Sequence, residues 1–177
     1  MNEVAGEVRT VFLYNSVVSG GDDDILFATT SKGIYNINDR SNPILAFEWP
    51  VQVAKTSGWC SVLNYTNVGG DHFILLCDEE NGYYIFDGVE WNLGTFTGSP
   101  KPAAEKLVQI TEWQGRIWFV ERDSARAWFL DPLALTGDIT PMDVGSRFKK
   151  GGHLVQNTTW TLDDGAGMDD KFVQISG

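Results

Sequence analysis

The chain has 177 residues, 42% hydrophobic and 21% charged, the composition of a globular protein rather than a disordered or fibrous one. Its 13 Lys+Arg stand against 24 Asp+Glu, a net charge of −11 at pH 7, so neither sequence-specific nucleic-acid binding nor attachment to an anionic membrane is expected; both need a cationic footprint. No run of about 18 apolar residues offers a transmembrane helix, and Met1–Thr10, with three charges and no apolar centre, is not expected to be a signal peptide.

Residue usage points to β-structure. Phe 10, Trp 7 and Tyr 5 suit half-buried pleated surfaces, and Gly 19 supplies the positive φ of tight hairpins. In chain order, one pattern recurs: an apolar strand, a short polar turn and a second strand built around an aromatic. The first copy is Ile25–Thr29, the turn Thr30-Ser31-Lys32-Gly33, and Ile34–Ile37. The second is His72–Cys77, the turn Asp78–Gly82, and Tyr83–Phe86. The third is Arg116–Val120, the turn Glu121–Ala125, and Arg126–Leu130. Flanking strands are predicted at Cys60–Thr66, Trp91–Thr97 and Leu107–Trp113, the last joined to its hairpin across Gln114-Gly115. Helix signals are sparse. Ala103–Leu107 is framed by Pro100 and Pro102, and Asp131–Gly137, with an Asp cap, Pro at the first position and Gly past the end, predicts barely one turn.

Ile34 to Tyr83 spans 49 positions and Tyr83 to Ala127 spans 44, and roughly 40–50 residues is the period of a four-stranded propeller blade. The expected fold is therefore all-β, of consecutive four-stranded antiparallel blades forming a partial β-propeller, with a β-sandwich as the alternative. Residues 1–177 read as one all-β domain with units at about 20–50, 58–98 and 105–140 and the start of a fourth at 152–177. Asp169–Gly177 reads as the first strand of a fourth hairpin. A closed propeller needs at least about four blades and an open edge invites aggregation, so a fragment of a longer propeller protein, or a ring completed by another chain, is expected.

The stretch Thr111-Glu112-Trp113-Gln114-Gly115-Arg116-Ile117-Trp118-Phe119-Val120-Glu121-Arg122-Asp123-Ser124-Ala125-Arg126-Ala127-Trp128-Phe129-Leu130 resembles a segment of tail proteins of short-tailed bacteriophages and prophages. Asp143–Gly152 and Trp160–Asp170 match the same family in order. The resemblance covers Gln109–Gly177, is weaker over Leu26–Thr97, and is absent from the first 20 residues. It implies a tail tubular or nozzle subunit with β-propeller domains, located in the virion tail and assembled in the bacterial cytoplasm. It further implies a structural role without a reaction, partnership with other tail or portal-proximal proteins, and a homo-oligomeric ring in the full-length protein. An acidic wall suits a DNA conduit, because neutralising phosphates would add affinity and slow the strand.

Several residues are candidate sites. In the loop 163–170, Asp163, Asp164, Asp169 and Asp170 surround two glycines; a Ca²⁺-like site is one reading, since hard cations want about six to eight oxygens, and a solvated turn is the other. No other cofactor is expected. Gly20-Gly21-Asp22-Asp23-Asp24 is a weaker version of the same pattern. Arg147, Phe148, Lys149 and Lys150 form the densest basic cluster, read either as a subunit contact that sets register in a ring or as a solvated loop. His72 and His153 sit in no nucleophile motif and share no metal-ligand spacing. Cys60 and Cys77 read as small buried hydrophobes, with one disulfide between them as the alternative. Trp49, Trp59, Trp91, Trp113, Trp118, Trp128 and Trp160 read mostly as sheet packing. A carbohydrate-binding or glycan-cleaving propeller is the competing function; cleavage needs two carboxylates about 5–10 Å apart, and the Ser-x-Asp-x-Gly-x-Thr-Trp turn of sialidase-like propellers is missing. A host-encoded protein-interaction propeller is a third reading.

Overall fold

A computed structural model of the chain describes residues 3–16, 23–50, 58–144, 154–163 and 168–176, the last two stretches by their backbone. The fold is all-β, built of successive four-stranded antiparallel sheets, with no α-helix among the described residues. Sheet I runs β1 (Thr10–Tyr14), β2 (Ile25–Thr29), β3 (Gly33–Asn36), β4 (Ile44–Glu48), each strand pairing with the next. Sheet II repeats this with β5 (Cys60–Thr66), β6 (His72–Asp78), β7 (Gly82–Phe86) and β8 (Trp91–Leu93). After β9 (Phe96–Thr97), sheet III runs β10 (Leu107–Trp113), β11 (Arg116–Glu121), β12 (Arg126–Leu130) and β13 (Gly137–Asp143). β9 adds to the outer edge of sheet III, parallel to β13. A hairpin of β14 (Leu154–Asp163) and β15 (Met168–Ser176) follows.

The sheets stack in chain order, and the stacking follows from which residues are apolar. Each sheet has a forward face, toward the sheet that follows in sequence, and a rear face. Continuous apolar runs must be covered on both faces, and Phe73–Cys77 of β6 and Tyr83–Phe86 of β7 are of that kind. Ile74, Leu76, Tyr84, Phe86 and Trp91 face back and pack on Tyr14, Phe27, Ile34 and Trp49 of sheet I and its exit. Leu75, Cys77, Tyr83 and Ile85 face forward and pack on Leu107, Ile110, Ile117, Phe119, Trp128 and Leu130 of sheet III. The forward face of sheet III carries a third cluster of Trp118, Val120, Ala127 and Val144. Sheet II is thus covered on both faces, a position that a two-sheet sandwich does not contain. The first strands also adjoin: β5 lies beside β1 and β10, and β10 beside β14.

Turn chemistry sets the register. Gln114 (φ 51°) and Gly115 (φ 67°) form the two-residue loop between Trp113 and Arg116, a type I′ pattern that matches strand twist. At the β6–β7 turn, Asp78 Oδ1 accepts from the backbone N–H groups of Glu80 (2.9 Å) and Asn81 (3.2 Å).

Several sequence expectations are corrected. Trp91–Thr97 is not one strand: Trp91–Leu93 ends sheet II, and Phe96–Thr97 crosses to sheet III. The break falls at Gly94, where a Cβ would lie 2.1 Å from the Tyr83 ring, so the chain leaves the sheet flush against that aromatic. Asp131–Gly137 is a turn rather than a helix, with Leu133 at φ 65° and its N–H donated to Gly115 O (2.8 Å). Ala104–Lys106 makes a short 3-10 turn. Residues 169–176 belong to the second strand of a hairpin, since 154–163 supplies the first. Sheet I begins at Thr10, ahead of the unit expected from residue 20.

Candidate functional site

Sheets II and III diverge at the end where β5 begins, leaving a cleft of about 320 Å³ lined by Trp59, Cys60, Ser61, Glu79 and Val108. Its floor is held by three anchors. Gly58 packs so closely on Thr30 that a Cβ would lie 2.7 Å from the Thr30 carbonyl carbon, and its φ of 143° favours glycine independently. The Gly58 carbonyl accepts from Thr10 Oγ1 (3.1 Å) and Thr29 Oγ1 (2.6 Å), tying the entry of sheet II to sheet I. Ser61 Oγ accepts from Ile110 N–H (3.1 Å), tying β5 to β10.

The walls are charged and aromatic. Trp59 is 57% exposed, and the Arg9 guanidinium lies 5.7 Å from its ring centroid. Arg122 reaches across from sheet III, pairing with the Glu79 carboxylate (3.1 Å) and donating to the Glu79 carbonyl. An indole face beside a carboxylate and a hydroxyl can stack on a flat apolar ring and accept hydrogen bonds from its polar edge. The volume lies at the lower end of small-molecule pockets, roughly 300–1,000 Å³.

Under this cleft the titratable groups serve the structure. Asp78 is fully buried, and desolvation pushes its carboxyl above the usual range, with the N–H groups of Glu80 and Asn81 opposing that shift. The Cys60 thiol is pushed up strongly by burial and then by the Asp78 carboxylate, to which its Sγ points at 3.8 Å. Burial does the same to Cys77. A thiol is a nucleophile as thiolate, a form that burial disfavours at both positions; Cys77 packs in the core between sheets II and III and Cys60 against the core between sheets I and II. Both cysteines are free; Ser61, not Cys60, stands opposite Cys77, and the two side chains join different cores. Tyr84, pushed up to about 12 by burial, donates its hydroxyl to Asn81 O (3.0 Å) at the same turn.

The residues singled out from sequence are placed as follows. Asp163 ends β14 and Asp169 and Asp170 lie at the start of β15, so the backbone brings these three positions to one end of a hairpin; register pairs Asp163 with Met168, Leu162 with Asp169 and Thr161 with Asp170. Asp164, and all of Arg147, Phe148, Lys149 and Lys150, lie outside the described residues, as do Gly20, Gly21, Asp22 and His153. Asp24 Oδ1 accepts from Ser16 N–H (2.8 Å) and closes the β1–β2 connection. Among the described residues no three His, Cys, Asp or Glu side chains are grouped to hold a metal ion. His72 Nδ1 lies 3.5 Å from Thr66 Oγ1 at the exposed start of β6.

Trp49, Trp91, Trp118 and Trp128 are 7% exposed or less, and Trp113 packs half-buried on the third core cluster. Trp59 stands apart from them in a cleft. Its place was not legible in the sequence, where Trp59-Cys60 reads as the apolar start of a strand; the Gly58 just before it was the available signal.

No helix among the described residues is long and apolar enough to cross a membrane. Compared with protein-family models, curated proteins and solved structures, the chain gives no match.

Proposed function

We propose that the chain is a non-enzymatic structural unit of a short phage tail, part of the nozzle or tubular section that conducts DNA, and that it acts by subunit assembly. The observation that carries this reading is the iteration of one meander. Three four-stranded sheets stack with their first strands adjoining, as blades of a propeller do, and the intervening cores are aromatic and aliphatic. The phage-like stretch Thr111–Leu130 runs from the end of β10 through β12 and supplies Ile117, Phe119, Trp128 and Leu130 to one core. Asp78, Cys60, Cys77 and Tyr84, the buried groups with the most chemical potential, are committed to turns and packing. The net charge of −11 lets duplex DNA pass without the counterion release that drives adhesion.

Immunogold labelling of purified short-tailed virions with an antibody against this chain is the direct test. Label confined to the tail below the capsid is the expected result. Label on the capsid, or its absence from virions, removes the reading.

The Trp59 cleft favours a second reading, carbohydrate binding. A glycan array probed with the wild-type chain and with Trp59→Ala separates the two. Saturable binding lost in the variant supports the glycan reading, and equal background for both supports the structural one.

A further inference from the structure

We infer that the Trp59 cleft takes one uncharged pyranose ring, held by a pair of its hydroxyls, and discriminates against acidic and amino sugars. This rests on the carbohydrate reading of the cleft and does not need the tail assignment.

The cleft holds about 320 Å³ between Trp59, Cys60, Ser61, Glu79 and Val108, room for one sugar ring rather than a chain. Trp59 and Val108 supply its apolar surface. The Arg9 guanidinium lies over the Trp59 ring, 5.7 Å from its centroid, yet the residue stays 57% exposed, so the indole keeps open surface for a ligand. An indole face carries negative charge density, and the weakly positive C–H groups along one side of a pyranose are drawn to it.

The polar groups select hydroxyls. Ser61 Oγ accepts from Ile110 N–H (3.1 Å), which leaves its own proton for a second partner. Glu79 pairs through Oε2 with Arg122 (3.1 Å), and a carboxylate keeps acceptor capacity beyond one such bond. The lining therefore offers a donor and an acceptor in one cleft. A hydroxyl both donates and accepts, so two hydroxyls on adjacent ring carbons answer both.

Charge narrows the class further. Arg122 donates to the Glu79 carboxylate and to the Glu79 carbonyl, and Arg9 pairs with Glu7 at 2.8 Å. Each of these two cations thus has its counter-charge within the chain. A ligand carboxylate only accepts; it would set its charge beside Glu79 and find Arg122 already engaged. A ligand ammonium only donates, and it would compete with Arg122 for the carboxylate and with Arg9 for the ring. Like charges brought close in partly desolvated surroundings cost affinity. An uncharged hydroxyl meets neither penalty.

The test is a saturation-transfer NMR titration of the whole chain with methyl glucoside, galactoside and mannoside, each beside its uronic acid and its 2-amino counterpart. Trp59→Ala and Glu79→Gln are run in parallel, with circular dichroism and melting temperature to establish that each keeps the wild-type fold. Trp59→Leu, apolar but without a π face, replaces an alanine variant that does not. A neutral pyranoside is expected to saturate, with the strongest transfer to the ring protons of one side, and to lose its signal in Trp59→Ala. Its charged counterparts should bind about tenfold more weakly or worse. Glu79→Gln should close most of that gap for the uronic acid, and added salt, which screens charge and not stacking, should narrow it in wild type. Charged sugars bound through Trp59 as tightly as the neutral one overturn the selectivity and leave the carbohydrate reading standing. Binding that survives Trp59→Ala overturns the inference by placing the sugar elsewhere. No saturable binding of this panel, with Trp59-dependent binding on the glycan array, overturns the single-ring ligand alone; no binding on either overturns both.

Discussion

Sheets I and II share one topology and nearly one register, yet they are different physical objects. In sheet II, Phe73–Cys77 of β6 and Tyr83–Phe86 of β7 are apolar without interruption, and both strands are buried apart from the half-buried His72 and Phe73 at the entry. In sheet I, β1 alternates exposed and covered residues, and β4 is largely exposed. The central β2 and β3 are nevertheless largely buried, and the edge strands β5 and β8 of sheet II are mostly half-buried or exposed, so a strand's place within its own sheet sets much of how far each side chain is covered. Hydrogen-bond ladders are alike in both sheets, while the apolar contacts of sheet II are doubled.

The strongest way to break that comparison is to remove one aromatic from each sheet. Tyr83 stacks on Phe96 (5.4 Å between centroids), meets Phe119 edge-on (5.0 Å) and donates its hydroxyl to Leu135 O (2.9 Å). Tyr83→Ala is expected to cost about 3–5 kcal/mol, as large-to-small changes in a closed core do. Tyr35→Ala, also buried but part of none of the three aromatic and aliphatic clusters, should cost less. Guanidinium unfolding of both variants checks it, and equal losses would mean that the two rings are equally packed.

A smaller effect sharpens the contrast at the buried β6–β7 turn. The folded state holds the Asp78 carboxyl above its ordinary value, so it binds the proton more tightly than the unfolded chain does. Stability from this group therefore falls as pH rises from the ordinary carboxylate range toward neutrality, and is regained on acidification. Asp78→Asn keeps an oxygen for the Glu80 and Asn81 amides and removes the charge. The stability of wild type relative to this variant should increase as pH is lowered through that window. Denaturant midpoints at neutral and mildly acidic pH measure it; a change of opposite sign would show that the turn amides, not desolvation, control the carboxyl.

The smallest expected effect compares two valines at one register position. Val11→Lys, at an exposed position of the edge strand β1, should change stability by no more than about 0.5 kcal/mol. Val62→Lys, packed against the core between sheets I and II, should cost several times as much. Thermal melts of the two variants give the ratio.

Much of the architecture was written in local patterns. The three central hairpins were legible because each joins an apolar strand to an aromatic one across a polar turn, and Gln114-Gly115 announces its own loop. The short β1 was hidden, because Thr10–Tyr14 is only five residues long and alternates weakly after a polar start. The split of Trp91–Thr97 was hidden because nothing local distinguishes Gly94 as a bend; only the Tyr83 ring at its α-carbon does. The turn at Asp131–Gly137 carries helix caps, yet Leu133 takes a left-handed conformation and bonds to Gly115, a partner remote in sequence.

For the candidate site, less could be read. The turn Asp78–Gly82 was visible, but not that its first carboxylate is buried, since that depends on β5 covering it. Trp59 is indistinguishable in composition from the six other tryptophans. Period-two alternation, glycine and turn residues by themselves determined that this chain makes antiparallel meanders at regular intervals, because those signals act within about ten residues. Which faces are covered and which indole stands in a cleft were decided only when the sheets stacked. Burial is a property of neighbours far apart along the chain, and no local residue pattern encodes it.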